Sequence, residues 1–127
     1  MLLKNSFFRT ANIIALLTLF LALVGCGPVT ETQQVSLAAG QYWSAPLALK
    51  SGDLVEGTFV VGGAADMDIG FSVKGPDANE IIRLQQYRSY NFTFRARQDG
   101  VHYLNLDNSY SLFASKVVSL TIKYPKR

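Results

Sequence analysis

The sequence predicts an all-β domain, an antiparallel β-sandwich or jelly roll of seven to eight strands, preceded by a helical signal peptide. Three observations carry this. From Leu37 onward apolar residues recur with the two-residue period of a half-buried strand. Clusters of Gly, Pro, Asn, Asp and Ser punctuate those runs and supply the backbone angles or local hydrogen bonds that tight turns need. No stretch after residue 26 repeats with helical periodicity.

Lys4 and Arg9 open the N-terminal element, and an apolar run over residues 13–25 follows, interrupted by Thr18. A bilayer-spanning helix needs about 20 apolar residues, so this run is short for a span and fits the apolar core of a secretory signal peptide. It ends in Leu23-Val24-Gly25-Cys26, and Cys26 is the one cysteine of the 127-residue chain. Residues 27–34 (GPVTETQQ) are polar, contain Gly and Pro, and read as a tether.

The strands follow in order. After the Ser51-Gly52-Asp53 turn, Val55, Phe59 and Val61 share one face, with Gly57 in register. Met67, Ile69, Phe71 and Val73 alternate with Asp68, Gly70 and Ser72, and the Gly75-Pro76-Asp77-Ala78-Asn79 cluster ends that strand. Tyr90, Phe92, Phe94 and Ala96 are set against Asn91, Thr93, Arg95 and Arg97, and Gln98-Asp99-Gly100 marks the next turn. His102, Leu104 and Leu106 share a face, and Asp107-Asn108-Ser109 closes that strand with side chains that favour local backbone hydrogen bonds. Val118, Leu120, Ile122 and Tyr124 form the inner face of the last strand. The expected organisation is a signal peptide at 1–25, a lipidated tether at 26–34, one sandwich at 35–124 and a tail at 125–127.

Composition narrows the function. Charged residues make up 17% of the chain, and the formal net charge is +3. Cleavage before Cys26 removes Lys4 and Arg9, leaving 10 basic against 9 acidic residues. That balance argues against a nucleic-acid partner, which needs clustered positive charge. A single cysteine excludes an internal disulfide framework and multi-cysteine metal centres, and a single histidine excludes a His-rich one. No G-x-S-x-G elbow is present. His102 sits on the apparent core face of its strand and reads as a buried side chain; a general base would need a partner within hydrogen-bond reach. No catalytic residues, metal or cofactor are expected.

Several residues stand out as candidates for binding. Arg83, Arg88, Arg95 and Arg97 are interleaved with Tyr87 and Tyr90, residue types that anchor protein interfaces and meet lipid headgroups or acidic glycans. Within this group the Gln85-Gln86-Tyr87-Arg88-Ser89 turn is the better candidate, because loops on rigid sandwiches carry much binding. The same arginines also fit a solvated outer face. Asp66 and Asp68, with Asp77 or Glu80, could offer oxygens to calcium, which takes six to eight, or simply line a wet strand. Trp43 beside Tyr42 places one ring in the core and the other at the surface, with carbohydrate stacking as the competing reading.

Two resemblances sharpen this. The Leu23-Val24-Gly25-Cys26 ending resembles the lipobox of bacterial lipoproteins, in which the cysteine is lipidated on sulfur and becomes residue one after cleavage. The strand pattern resembles the GOLD (Golgi dynamics) domain over residues 35–124. It is carried by Gly57-Thr58-Phe59, Asp68 in its D-x-D, Gly75-Pro76-Asp77, Gly100, the Asp107-Asn108-Ser109-Tyr110-Ser111 block and Ser115-Lys116-Val117-Val118. The family implies a β-sandwich that mediates protein or lipid contacts without catalysis. Of the motif residues, Asp68, Gly100, Asp107, Asn108, Ser111 and Lys116 are expected to be structural. The cargo-receptor branch carries a disulfide, with one cysteine at the position that looks like Asn105 here, and a coiled coil and C-terminal membrane helix. This sequence shows none of these, so that role does not carry over. The expected partners are a membrane, through lipidated Cys26 on its extracytoplasmic side, and a protein or lipid. A carbohydrate- or calcium-binding module resembling the pre-peptidase C-terminal domain is the alternative.

Overall fold

The computed structural model describes residues 27–63 and 67–126. The signal sequence, the lipobox residues Leu23, Val24, Gly25 and Cys26, and Asp66 of the D-x-D lie outside them. Eight strands make up the fold: β1 (Pro28–Leu37), β2 (Tyr42–Leu49), β3 (Leu54–Val61), β4 (Ile69–Lys74), β5 (Glu80–Tyr87), β6 (Ser89–Arg95), β7 (Gly100–Asp107) and β8 (Lys116–Pro125). They form two four-stranded sheets, β1-β8-β3-β6 and β2-β7-β4-β5. Every pairing is antiparallel. The all-β sandwich expected from the alternation is the fold observed.

The alternation works because each strand has one dry and one wet face. Val55, Phe59 and Val61 of β3 and Val118, Leu120, Ile122 and Tyr124 of β8 point inward from the first sheet. Ile69, Phe71 and Val73 of β4 and His102, Leu104 and Leu106 of β7 meet them from the second. Phe71 joins the layers: its ring lies 5.0 Å from Phe59 and 4.6 Å from Phe92. Gly57 serves this stack, because the Phe92 ring occupies the space that a Cβ there would need. Trp43 is buried and Tyr42 is exposed, so the core reading of that pair holds. Tyr90 departs from its expected inward set: although it pairs with buried Phe59, it is exposed on the edge strand β6, against Tyr87.

One boundary differs from expectation. The presumed tether is strand: all ten residues of β1 pair with β8, from Pro28 against Pro125 to Leu37 against Lys116. Sequence patterning misses it because the inward positions of its first half include Glu31 and Gln33. Gln33 is buried nonetheless, and Glu31 accepts a hydrogen bond from the Tyr124 hydroxyl and pairs with Lys126 at 3.2 Å. The sandwich therefore starts at Pro28, and Gly27 alone separates it from Cys26.

Strand directions give the domain two poles. Pro28 and Pro125 lie at one, with the links at 50–53, 75–79 and 96–99; this is the terminal pole. The links at 38–41, 88 and 108–115, and residues 62–63 and 67–68, lie at the other, the far pole.

Candidate functional site

The far pole is built around the 108–115 link. Asn108 is fully buried, and its amide Nδ2 donates to the carbonyls of Ala114 (2.9 Å), Ala38 (3.1 Å) and Leu37 (3.5 Å). One side chain thus ties the β7–β8 link to the end of β1. Ser111 and Ala114 close the loop on itself through two bonds between the serine hydroxyl and the Ala114 backbone. Asp107 caps the Ser109 amide at 2.8 Å. Lys116 is buried as well. Its ammonium donates to the Asp68 carbonyl at 2.7 Å, lies 3.7 Å from the Asp68 carboxylate, and sits 4.9 Å from the centroid of the Tyr110 ring. The Tyr110 hydroxyl donates to both the carbonyl and the carboxylate of Asp68. Burial, with this bond second, raises the Tyr110 pKa well above the ordinary tyrosine range.

This polar knot holds an apolar tip in water. Leu112 is 80% exposed and Phe113 is 92% exposed. Tyr42, exposed, stands at the same pole, as does the Tyr87–Tyr90 pair, whose rings meet edge-on at 5.4 Å.

A second surface is the outer face of β2-β7-β4-β5. Register aligns Ser44, Asn105, Ser72 and Arg83 in one row across the four strands. Tyr42, Asp107 and Gly70 form the row on one side of it, and Pro46, Tyr103, Lys74 and Glu80 the row on the other. The small side chains in the middle leave a shallow groove of about 800 Å³, with Tyr42 and Tyr110 at one end and Tyr103 at the other. Asn105 Nδ2 donates to the Ser72 hydroxyl at 3.3 Å, and Arg83 pairs with Glu80 at 2.7 Å.

The arginine–tyrosine surface expected from sequence is divided by the fold. β5 and β6 are consecutive but belong to different sheets, so Arg83 and Arg95 face opposite sides of the sandwich. The turn between them is tighter than expected: Gln86, with φ of 61°, belongs to an irregularity in β5, and Arg88 alone links the strands. Arg88 donates to the Gly63 carbonyl at 3.2 Å, at the far pole. Arg95 donates to the Gly52 carbonyl at 2.9 Å, and Arg97 lies in the 96–99 link; both belong to the terminal pole. Tyr87, Arg88 and Tyr90 are thus together at the far pole, and Arg83, Arg95 and Arg97 are elsewhere.

The metal and base readings fare as follows. No group of three potential metal ligands occurs among the described residues. Asp77 instead accepts from the Asn79 amide, which holds its carboxyl below the usual carboxylate range. His102 is fully buried, with Nδ1 3.1 Å from the Gly100 carbonyl and its ring stacked on Phe94. It is a core residue. The feature that sequence reasoning missed is Leu112-Phe113. Two large apolar residues in a serine-rich break between strands were its visible signal.

Sequence comparison matches residues 47–126 to the emp24/gp25L/p24 family/GOLD. The chain belongs to this GOLD family. The match includes the whole Asp107–Lys116 knot; of the motif residues, Asp68, Asp107, Asn108, Ser111 and Lys116 make their bonds at the far pole, and Gly100 lies at the terminal pole. The chain is 33% identical over 75 residues to suppressor/enhancer of lin-12 protein 9 of Caenorhabditis elegans, covering 59% of this chain and 37% of that protein. The chain thus spans little more than a third of that relative's length. Among solved structures, the fold is similar to PliG of Aeromonas hydrophila, a periplasmic inhibitor of g-type lysozyme. The TM-score is 0.51 at 15% identity, over 80% of this chain and 89% of that one. PliG of Salmonella Typhimurium also gives a TM-score of 0.51, at 11% identity, over 75% and 90% of the two chains.

Proposed function

We propose that this GOLD domain is a non-catalytic binding module, held at the extracytoplasmic side of a bacterial membrane by a lipid on Cys26. It engages a protein through its far pole. The lipobox-like Leu23-Val24-Gly25-Cys26 ending supports the anchor. One observation carries the binding reading: Tyr42, Tyr87, Tyr90, Tyr110, Leu112 and Phe113 are all exposed at one pole, three of them on a loop whose backbone is fixed by Asn108 and Ser111. Contiguous exposed apolar surface marks interaction sites, and a rigid presentation lowers the entropy cost of binding. The PliG proteins, of similar fold, act on another protein, a lysozyme.

The test is a photoreactive residue at Leu112 in the anchored protein, crosslinked in native membranes beside a Phe113→Ser control. A protein adduct of defined mass that disappears in the control is expected. Adducts with lipid alone, or none, would overturn the reading.

The groove on the second sheet favours an alternative, a neutral carbohydrate laid across the Ser44–Asn105–Ser72 row between tyrosines. Affinity electrophoresis in soluble polysaccharides, with Tyr103→Ala as control, decides it: retardation abolished by the substitution supports carbohydrate, and equal mobility rejects it.

A further inference from the structure

We infer that the lipid on Cys26 orients the domain, placing the terminal pole against phospholipid headgroups and holding the Leu112-Phe113 tip away from the bilayer, so that the tip serves a protein and not the membrane. This rests on the anchor reading above.

The length of chain between lipid and fold decides the matter. β1 begins at Pro28, two residues after Cys26. An extended chain covers at most about 3.3–3.6 Å per residue, so this link reaches about 7 Å. β1 itself has ten residues and runs the length of the sandwich, about 30 Å at strand spacing. For the far pole to enter the same bilayer end-on, the domain must turn over, and the link must then reach along most of that length. The tether suggested by composition, residues 26–34, would have sufficed at about 30 Å. A link of Gly27 alone does not.

The two poles carry surfaces suited to this arrangement. Lys50, Arg95 and Arg97 are exposed at or beside the links of the terminal pole, alongside the carboxylates Asp77 and Asp99, and Lys126, paired with Glu31, is exposed just after Pro125. Lysine and arginine are favoured at headgroup level. The exposed leucine and phenylalanine lie at the opposite pole. An apolar tip of this kind at the end of a freely swinging domain would be a natural membrane-inserting finger. Register assigns it the opposite direction: Leu37 pairs with Lys116, the residue that ends the tip's loop, nine positions from the Pro28–Pro125 pair.

The test uses the full-length lipidated protein in vesicles of phosphatidylethanolamine and phosphatidylglycerol, some containing a headgroup-region nitroxide lipid. An environment-sensitive fluorophore is attached at Lys50→Cys or, separately, at Phe113→Cys. Mass spectrometry of the purified protein first establishes the lipid. The expected result is several-fold stronger quenching at position 50 than at 113, with position 113 matching vesicles free of nitroxide. A lipidated protein whose position 113 is quenched as strongly as position 50 overturns the orientation while leaving the anchor intact. An unlipidated Cys26 overturns the anchor, and the inference with it. Leu112→Ser with Phe113→Ser should leave vesicle retention unchanged; release from vesicles would also overturn the inference.

Discussion

The two poles of the sandwich solve the problem of joining sheets in different ways. At the terminal pole the links are short turns, held by bonds within each turn and between the 50–53 and 96–99 turns. Asp53 accepts from the Lys50 amide at 2.8 Å, Asp99 from the Ser51 amide at 2.8 Å, and Asp77 from the Asn79 amide at 3.1 Å. Gly52 and Gly100 supply positive φ there, at 95° and 137°. At the far pole the 108–115 link is long, and buried polar side chains reach from it to residues 37, 38 and 68. The difference teaches why the family motif sits where it does. Short turns are fixed by bonds within themselves and to the turn beside them. A long link that must present an apolar tip needs buried side chains that reach distant backbone, and those have few substitutes.

The largest expected effect follows directly. Asn108→Asp keeps the shape but removes the donor that serves the Ala114, Ala38 and Leu37 carbonyls, and it sets a buried carboxylate against them. We expect a loss of roughly 3–5 kcal/mol in urea melts, partly relieved at acid pH where the introduced carboxyl is protonated and donates again. A loss below about 1 kcal/mol would mean that the far pole does not depend on its side chains.

At the terminal pole the comparable position is Gly100. Its φ of 137° and the approach of Pro76 Cγ to 2.8 Å from where a Cβ would lie both oppose substitution. Gly100→Ala should cost about 1–3 kcal/mol, less than Asn108→Asp, because the neighbour it meets is a proline in an exposed turn and no buried charge is created. If the order of the two losses reversed, the contrast between fixation by turns and fixation by buried side chains would fail.

Each pole also holds a tyrosine whose pKa is raised. Tyr124, near the terminal pole, is shifted by burial first and by the charge of Glu31 second; Tyr110, at the far pole, by burial and then by Asp68. Such a group binds its proton more tightly folded than unfolded. Its contribution is complete below the ordinary tyrosine value of 10.0 and is lost as pH rises above it. Stability should therefore fall on the alkaline side of pH 10. Tyr124 is 7% exposed and Tyr110 is 40% exposed, so solvent screens the second more. Tyr124→Phe should flatten the alkaline decline more than Tyr110→Phe, as read by melts across pH; the reverse order would place the better-shielded tyrosine at the far pole.

Much of this was legible in the sequence, for a reason that also explains what was not. Phe71, Leu104 and Leu120 announce inner faces because their neighbours in sequence are polar and wet. β1 hides because Glu31 and Gln33 occupy inward positions, where their polar ends find partners or their stems pack. The arginine–tyrosine surface was misread because closeness in sequence was taken for closeness on one face. A chain that leaves one sheet at Tyr87 and enters the other at Ser89 puts neighbours on opposite sides of the molecule. Asn108 could be recognised as structural, but its partners 70 and 71 residues away exist only in the fold.

The smallest expected effect is at Leu112 and Phe113. Side chains that are 80% and 92% exposed lose almost no water on folding, so they contribute almost nothing to holding the domain together. Replacing both by serine should change stability by less than about 0.5 kcal/mol, against the several expected for Asn108→Asp in the same loop. That pairing separates the frame from what it displays. If the double substitution destabilised by about 1 kcal/mol or more, the tip would be packed against the domain and would be part of its core. If stability held while crosslinking at Leu112 was lost, the tip would owe its place to what it contacts outside the molecule, and the buried amide of Asn108 would be the support that keeps two apolar side chains facing water.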